Sequence, residues 1–139
     1  MKIVYWSGTG NTEKMANLIA SGIESEGKSS EVITVNEASD KIFNETDVVI
    51  LGCPAMGDEV LEEGEFEPFI EEIKNKVSGK KIALFGSYGW GDGEWMRTWE
   101  ERMISYGADI LLEPLIIQYE PEGSTEEECI DFGKKLGKV

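Results

Sequence analysis

A chain of 139 residues with 28 Asp and Glu against 13 Lys and Arg has a formal net charge of −15, which argues against binding to nucleic acid or to an anionic membrane, since both need basic patches. Histidine is absent, so imidazole catalysis and most transition-metal sites are excluded and no metal is expected. The length suits one domain over residues 1–139, and we expect neither a signal peptide nor a membrane-spanning run.

The first predicted elements are a strand, a polar glycine loop and a helix. Residues 3–6 form a continuous apolar run, typical of a strand covered on both faces, and after the loop apolar residues recur at the spacing of one helix face until about Ser25. The loop places hydroxyl and amide groups and unpaired N–H groups where the helix begins, which favours an anion cradle, above all for phosphate. An ordinary turn with Asn11 or Thr12 as the helix N-cap is the alternative. The loop residues are Ser7, Gly8, Thr9, Gly10, Asn11 and Thr12.

Two familiar phosphate loops do not match this glycine loop. The dinucleotide fingerprint has a third glycine where this chain has Glu13, and the Gly-Lys-Ser/Thr ending of the nucleotide triphosphate loop is absent. Lys14 is the nearest cation, and we expect it to point outward from the helix. The loop therefore suits a single terminal phosphate that is held by neutral donors and the helix dipole.

Strands and helices continue to alternate along the rest of the chain. Pro114 is expected to break the fifth strand, and Ser124 with Glu127 three residues later predicts a capping box for the final helix. The alternation predicts an α/β fold, a doubly wound parallel sheet with helices on both faces. In chain order we predict an edge strand at 30–35, a short polar helix near 38–43, a strand at 48–52, a helix over 66–77 closed by Gly79, a strand at 82–86, a helix over 96–106 ended at Gly107, a strand over 110–117 and a helix from 124 onward.

Two further loops, residues 53–59 and 87–93, leave the carboxyl ends of predicted strands, where ligands bind in such sheets. Met56 and Trp90 lie in these loops and belong to no core face, which favours a planar aromatic ligand held between them over a Trp that caps the core. Gly57 can take a positive φ and reverse its peptide group, which would let it follow the protonation of a ligand. The alternative is a simple turn glycine.

Taken together, residues 7–12, 53–59 and 85–93 resemble the corresponding segments of the flavodoxins, specifically the short-chain clostridial type, and the likeness covers essentially the whole chain. Flavodoxins themselves exemplify the doubly wound fold with strand order 2-1-3-4-5, so the resemblance implies three layers and a five-stranded sheet in that order. It also implies non-covalently bound FMN and a low-potential one-electron carrier that cycles between semiquinone and hydroquinone without turning over a substrate of its own. The alternative is an FMN-dependent reductase of the same fold, which would turn over with NAD(P)H.

The resemblance assigns the glycine loop and Ser87 to the phosphate of FMN, and Met56 and Trp90 to the two faces of its isoalloxazine ring. Two residues depart from the family pattern near the ribityl chain. Pro54 removes a possible hydroxyl or N–H group, and Tyr119 stands where this subfamily often has a smaller polar residue. The ribityl contacts are therefore the part of the site that the resemblance defines least.

The pyrimidine edge of the ring is assigned to Glu59 and to the backbone of Gly89 and Gly91, again by resemblance. The Gly57 carbonyl would accept from N5–H of the neutral semiquinone after its peptide flips. The cofactor-binding residues predicted in this way are Ser7, Gly8, Thr9, Gly10, Asn11, Thr12, Pro54, Ala55, Met56, Gly57, Asp58, Glu59, Ser87, Tyr88, Gly89, Trp90 and Gly91.

The acidic residues around the second loop imply partners with basic docking faces, namely ferredoxin-type electron donors and acceptors, and the protein is expected to act as a monomer. Cys53 and Cys129 form no Cys-x-x-Cys pair, so we expect reduced, buried thiols and a cytoplasmic location. A phosphorylation-controlled receiver domain would need acidic residues after the first and third strands, where residues 7–8 and 53–54 have none. A low-molecular-weight phosphatase is excluded because its Cys-x5-Arg loop is missing.

Overall fold

The computed structural model describes residues 1–139 and alternates strands with helices along the whole chain. Short 3-10 turns at Val35–Glu37 and Asp40–Asn44 follow the second strand. The strands are β1 Lys2–Tyr5, β2 Glu31–Thr34, β3 Val48–Gly52, β4 Lys81–Tyr88, β5 Asp109–Ile110 and β6 Leu115–Gln118, and the helices are α1 Asn11–Ser25, α2 Phe66–Ile73, α3 Glu94–Ser105 and α4 Ser124–Gly137.

The strands form one parallel sheet in the order β2-β1-β3-β4-β5, with β6 also paired to β4. The order confirms the predicted doubly wound topology. β3 is buried along its whole length, as expected for a central strand covered by helices on both faces. The sheet separates the core into two clusters, one that contains α2 and α3 side chains and one that contains α1 and α4 side chains.

The fifth position of the sheet is occupied by two short strands. β5 pairs with the beginning of β4 through Lys81 and Asp109, and β6 pairs with its end through Phe85 and Leu115. Pro114 lies between them and has no N–H group to donate to a ladder, which explains the break that the sequence predicted. The second segment places the loop after β6 next to the end of β4.

The short helix predicted near 38–43 is present as a 3-10 helix at Asp40–Asn44, but it is not polar throughout, since Ile42 and Phe43 are buried. Two other local predictions were wrong. α2 ends at Ile73 although Val77 beyond it is fully buried. The proposed capping box is absent, because Gly123 with φ 57° and ψ −117° is the N-cap of α4 and no side chain caps it. The nearby hydroxyl that does bond the backbone belongs to Thr125, which accepts from the Glu122 N–H at 2.7 Å.

Helices α1 and α4 lie in direct backbone contact on one face of the sheet. A Cβ atom added to Gly133 would lie 2.1 Å from the carbonyl oxygen of Ile19, and one added to Gly22 would lie 2.1 Å from that of Ile130. Glycine at these two positions is therefore what permits the helices to approach so closely. None of the helices in the structure is both long enough and apolar enough to cross a membrane.

Candidate functional site

The loops that follow β1, β3 and β4 meet at the carboxyl edge of the sheet and enclose a crevice of about 380 Å³. A volume of this size is ordinary for a small-molecule site. The lining residues are Trp6, Ser7, Gly8, Thr9, Asn11, Thr12, Pro54, Ala55, Met56, Gly57, Ser87, Tyr88, Gly89 and Tyr119.

None of the residues that line the crevice carries a formal charge. This is unusual in a chain with 28 acidic residues and a net charge of −15. A carboxylate in the lining would repel an anion, and a lysine would bind an anion through one localised positive charge. The crevice instead combines neutral hydrogen-bond donors with apolar walls such as Met56 and Tyr88, which suits a ligand with an anionic end and an aromatic end.

The loop between β1 and α1 is closed by the Ser7 side chain. Its Oγ accepts from the N–H groups of Gly10 at 3.1 Å and Glu13 at 3.3 Å, so its own O–H remains free to donate. The N–H groups of Asn11 and Thr12, at the start of α1, donate to no protein acceptor. The N-cap of α1 is Gly10 with φ 96°, so the alternative in which Asn11 or Thr12 caps the helix is wrong. Free donors therefore cluster where the helix dipole is positive.

A buried pair of hydroxyl groups joins this loop to β4. Thr12 Oγ1 lies 3.0 Å from Ser87 Oγ, and the two residues are only 1% and 5% exposed. Each hydroxyl keeps further capacity for a hydrogen bond, because a hydroxyl can donate once and accept twice. The pair thus fixes the relative position of two of the three loops at the crevice floor.

Lys14, the cation nearest the loop, does not line the crevice. Its Nζ donates to the carbonyl of Pro121 at 2.8 Å and pairs with Glu126 at 3.1 Å. The lysine thereby connects the first turn of α1 to the loop that follows β6. Any phosphate in the crevice would be held by neutral groups, as the sequence predicted.

Most of the predicted cofactor residues line this one crevice, but a few do not. Gly10 faces a neighbouring cavity of about 430 Å³ whose lining includes Glu13 and Glu65, which makes that cavity unsuited to an anion. Trp90 is 65% exposed and Asp58 is exposed, and neither belongs to the lining. The remaining two residues outside the lining are Glu59 and Gly91.

The Glu59 side chain packs against Gly91 and the start of α3. Its Oε2 accepts from the Trp95 N–H at 3.3 Å, whereas its Oε1 is buried without any hydrogen-bond partner. A Cβ added to Gly91 would lie 1.6 Å from Oε1, so a side chain there would displace the carboxylate, and the φ of 91° also favours glycine. A buried acceptor without a partner is costly, which marks Oε1 as an atom available to a donor group of a ligand.

The turn after β3 has a different backbone from the predicted one. The Glu59 N–H donates to the Met56 carbonyl at 2.9 Å, closing a turn with Gly57 at its second position. The positive φ predicted for Gly57 is not observed, and Glu59 has a φ of 56° instead. A Cβ at Gly57 would meet nothing within 4 Å. The Gly57 carbonyl and the Asp58 N–H take part in no backbone hydrogen bond, so no such bond holds the peptide between them in one orientation.

Two aromatic walls of the crevice, Trp6 and Tyr119, are absent from the predicted set. Trp6 follows β1 and its Nε1 donates to Glu65 at 3.1 Å, so the indole lies across the crevice end of the strand. A Cβ on Gly8 would lie 3.0 Å from this indole. Trp6 was not predicted as a site residue because it belongs to the apolar run at 3–6, which was interpreted as a buried strand. For Tyr119, the only signal in the sequence was a departure from the family pattern.

Comparison with known proteins identifies the family. Residues 3–133 match the family model described as flavodoxin. The chain belongs to the flavodoxin family. A flavodoxin of Clostridium beijerinckii is 64% identical over 140 residues, covering 100% of both chains, which confirms the short-chain clostridial type. A flavodoxin of Megasphaera elsdenii is 42% identical and covers 100% of this chain and 99% of its own.

A solved flavodoxin has the same architecture. The solution structure of two-electron reduced Megasphaera elsdenii flavodoxin has a TM-score of 0.90 at 42% identity, over 99% of this chain and 98% of that one. Flavodoxins are electron carriers that bind FMN, and their likeness to this chain along its full length supports an electron-transfer protein over the reductase alternative.

The residues of the crevice fit the cofactor of the flavodoxins. The donors at the start of α1 suit a phosphate, and the apolar walls suit a planar ring. Outside the lining, the unpaired Glu59 Oε1 suits a ring N–H group. No carboxylate in the lining opposes the phosphate.

Tyr5, which ends β1 beneath the glycine loop, should lose its phenolic proton only in strong base. Burial and the hydrogen bond from its hydroxyl to Glu13, 2.8 Å long, raise its pKa to about 12 from 10.0. Between pH 10 and 12 the unfolded chain releases this proton and the folded protein keeps it, so stability falls as the pH rises through that window. Tyrosinate absorbance at 295 nm, followed during a pH titration of the folded protein, measures the ionisation of this tyrosine. The Tyr5→Phe variant should lack this late ionisation, and an equal amount of tyrosine ionising near pH 12 in the parent and the variant would contradict the prediction.

Proposed function

We propose that the uncharged crevice is the FMN site of this electron carrier. The observation that carries the proposal is the complete lack of charged residues in its lining, in a chain of net charge −15, beside free N–H donors at the start of α1. FMN supplies the one-electron chemistry when it is bound, and the protein determines its position, its hydrogen bonds and its exposure to water.

The glycine loop would hold the phosphate. The free N–H groups of Asn11 and Thr12 lie at the positive end of the helix dipole, and the Ser7 hydroxyl has its proton left to donate because its oxygen already accepts twice. Ser87 and Thr12 would add hydroxyl contacts from the crevice floor. The other members of this proposed phosphate set are Gly8, Thr9 and Gly10.

The two later loops would hold the ring. Met56 lines the crevice with Ala55 and Pro54 beside it, and Tyr88 provides a further apolar surface. Trp90, which is 65% exposed, would cover the outer face of the ring and bury part of its own indole in doing so.

The polar edge of the ring would meet Glu59 and the backbone near Gly89 and Gly91. Glu59 is anchored through Oε2 to the first turn of α3, so its Oε1 has a fixed direction and lacks only a donor. Gly57 would follow the protonation of the ring by rotating the peptide that links it to Asp58, which no backbone hydrogen bond of the protein holds.

Docking to redox partners would use the acidic surface beside the crevice. Asp58, Glu63 and Glu65 are exposed there, which favours proteins with basic faces, such as ferredoxin-type donors and acceptors. A monomer in the cytoplasm would present this surface freely.

The test of the proposed function is an anaerobic dithionite titration of the purified protein, followed by absorbance. We expect bound yellow chromophore, and at half reduction a spectrum that differs from the average of the two end states, because electrons enter one at a time. A direct two-electron conversion would contradict the one-electron carrier. Failure to bind FMN after reconstitution would contradict the assignment of the crevice.

Removing two of the exposed acids should slow association with a basic partner. For Asp58→Asn with Glu63→Gln, we expect the rate constant for reduction of a basic c-type cytochrome to fall several-fold at low salt and to depend less on salt. Stopped-flow mixing measures the rate, and the same pair of changes at Asp131 and Glu128 on α4 is the control with equal net charge. Equal loss in both variants would show that total charge, and not this surface, controls the rate.

A further inference from the structure

Tyr119 has a backbone conformation that a bulky residue rarely adopts. Its φ is 61°, and Glu59 is the only other non-glycine residue with a positive φ in the structure. In this left-handed region the Cβ atom crowds the following backbone, so Tyr is less favourable there than glycine. The conformation is therefore maintained by contacts on either side.

Both ends of the loop that carries Tyr119 are tethered. At its start, the Tyr119 backbone N–H donates to the Tyr88 carbonyl at 2.8 Å. The side-chain amide of Gln118 donates to the Gly89 carbonyl at 3.0 Å. Two residues further on, the Pro121 carbonyl accepts from Lys14. Since Lys14 lies in the first turn of α1, the loop is connected to the same turn that supplies the free N–H donors of the crevice.

The backbone conformation directs the Tyr119 ring to the crevice wall. The ring lies beside Gly89, where an added Cβ would be 3.4 Å from Tyr119 Cε1, and it borders the same crevice as Met56 and Ser7. It is nevertheless 61% exposed, so burial within the protein itself does not compensate for the unfavourable backbone. A large exposed aromatic ring at the mouth of an apolar crevice marks a surface that a ligand covers.

We propose that the Tyr119 ring covers the bound flavin nucleotide and slows its release. The inference rests on the proposed function of the crevice and adds to it a side chain that the predicted set of cofactor-binding residues does not include. Its ring, and not its hydroxyl, is the active part, because it is the ring that borders the crevice beside Gly89. The strained backbone is retained because it places the ring there.

Two variants separate this role from a purely structural one. Tyr119→Gly removes the ring and relieves the backbone, whereas Tyr119→Phe keeps the ring and removes only the hydroxyl. For Tyr119→Gly we expect the urea midpoint of the protein without FMN to stay equal or rise, while the Kd for FMN rises about tenfold, chiefly through faster dissociation. For Tyr119→Phe we expect both quantities to stay at the parent values.

Quenching of FMN fluorescence on binding gives the Kd. The dissociation rate is measured by mixing the FMN-loaded protein with an excess of a second flavin-binding protein that carries no FMN and captures the FMN as it is released. The proposal is overturned if Tyr119→Gly binds FMN as tightly as the parent, or if stability and affinity fall together. Equal losses of affinity in Tyr119→Phe and Tyr119→Gly would also overturn it. A parent protein that binds no FMN would instead refute the proposed function, so the two failures are distinguishable.

Discussion

The Thr9→Asp variant is expected to bind FMN about 100-fold more weakly than the parent. Thr9 lines the crevice, whose lining has no charge, and a carboxylate there would repel a phosphate held at this loop. Two like charges about 4 Å apart near a protein surface repel each other by about 4 kcal/mol, and solvent screening lowers this to about 3 kcal/mol, which corresponds to about 100-fold in Kd. Fluorescence titration with FMN measures the change. The loss should shrink as salt is added, because Thr9 is exposed and the new charge is screened.

Thr9→Asn is the matched control, since it has the same shape as Asp and no charge. Riboflavin provides a second control, because it lacks the phosphate and should not distinguish the Asp variant from the Asn variant. If Thr9→Asp and Thr9→Asn bind FMN equally well, the phosphate does not lie at the glycine loop and the proposed orientation of the cofactor is wrong.

The Gly133→Ala variant should destabilise the protein by at least about 2 kcal/mol. Alanine would be favoured over glycine in an isolated helix by about 1 kcal/mol, but the new Cβ would lie 2.1 Å from the Ile19 carbonyl oxygen, so α1 and α4 would have to separate. Urea unfolding of the protein without FMN, followed by tryptophan fluorescence, should show a lower midpoint with an unchanged slope.

Gly57→Ala is the control for this measurement. A Cβ at Gly57 would meet nothing within 4 Å and its φ is not in the left-handed region, so its unfolding midpoint should remain near that of the parent. A Gly133→Ala protein that is as stable as the parent would contradict the close contact between the two helices.

The sequence predicted the sheet well because its central strands are unambiguous. The run at 48–52 is apolar at every position, as a strand buried on both faces must be, and the break at Pro114 follows from a missing N–H group. The end of α2 could not be predicted in the same way. Val77 is as buried as the helix residues before it, and periodicity does not distinguish a buried side chain in a turn from one in a helix.

Within the candidate site, the glycine loop could be predicted because glycine, hydroxyl and amide residues before a helix are those that bind a phosphate. The directions in which individual side chains point could not be predicted. Glu59 and not Gly57 has the positive φ, and the Trp6 and Tyr119 rings reach the crevice through backbone conformations at the end of a strand and in a loop. The N-cap of the final helix could not be predicted either, because the residue that caps α4 is Gly123 and not Ser124. Whether each predicted residue contacts FMN, and whether residues 1–139 act as one domain, stay predictions.

The contact between Gly22 and Gly133 also bears on how the protein acquires its fold during synthesis. α1 is made early, and its apolar side chains, among them Ile19 and Ile23, pack in the cluster that includes α4 residues such as Leu136. Residues 26–123 separate the two helices, so α1 cannot contact this partner until α4 has left the ribosome. Until then the surface of α1 that packs against α4 stays uncovered, and this is the stage at which a chaperone would be expected to bind.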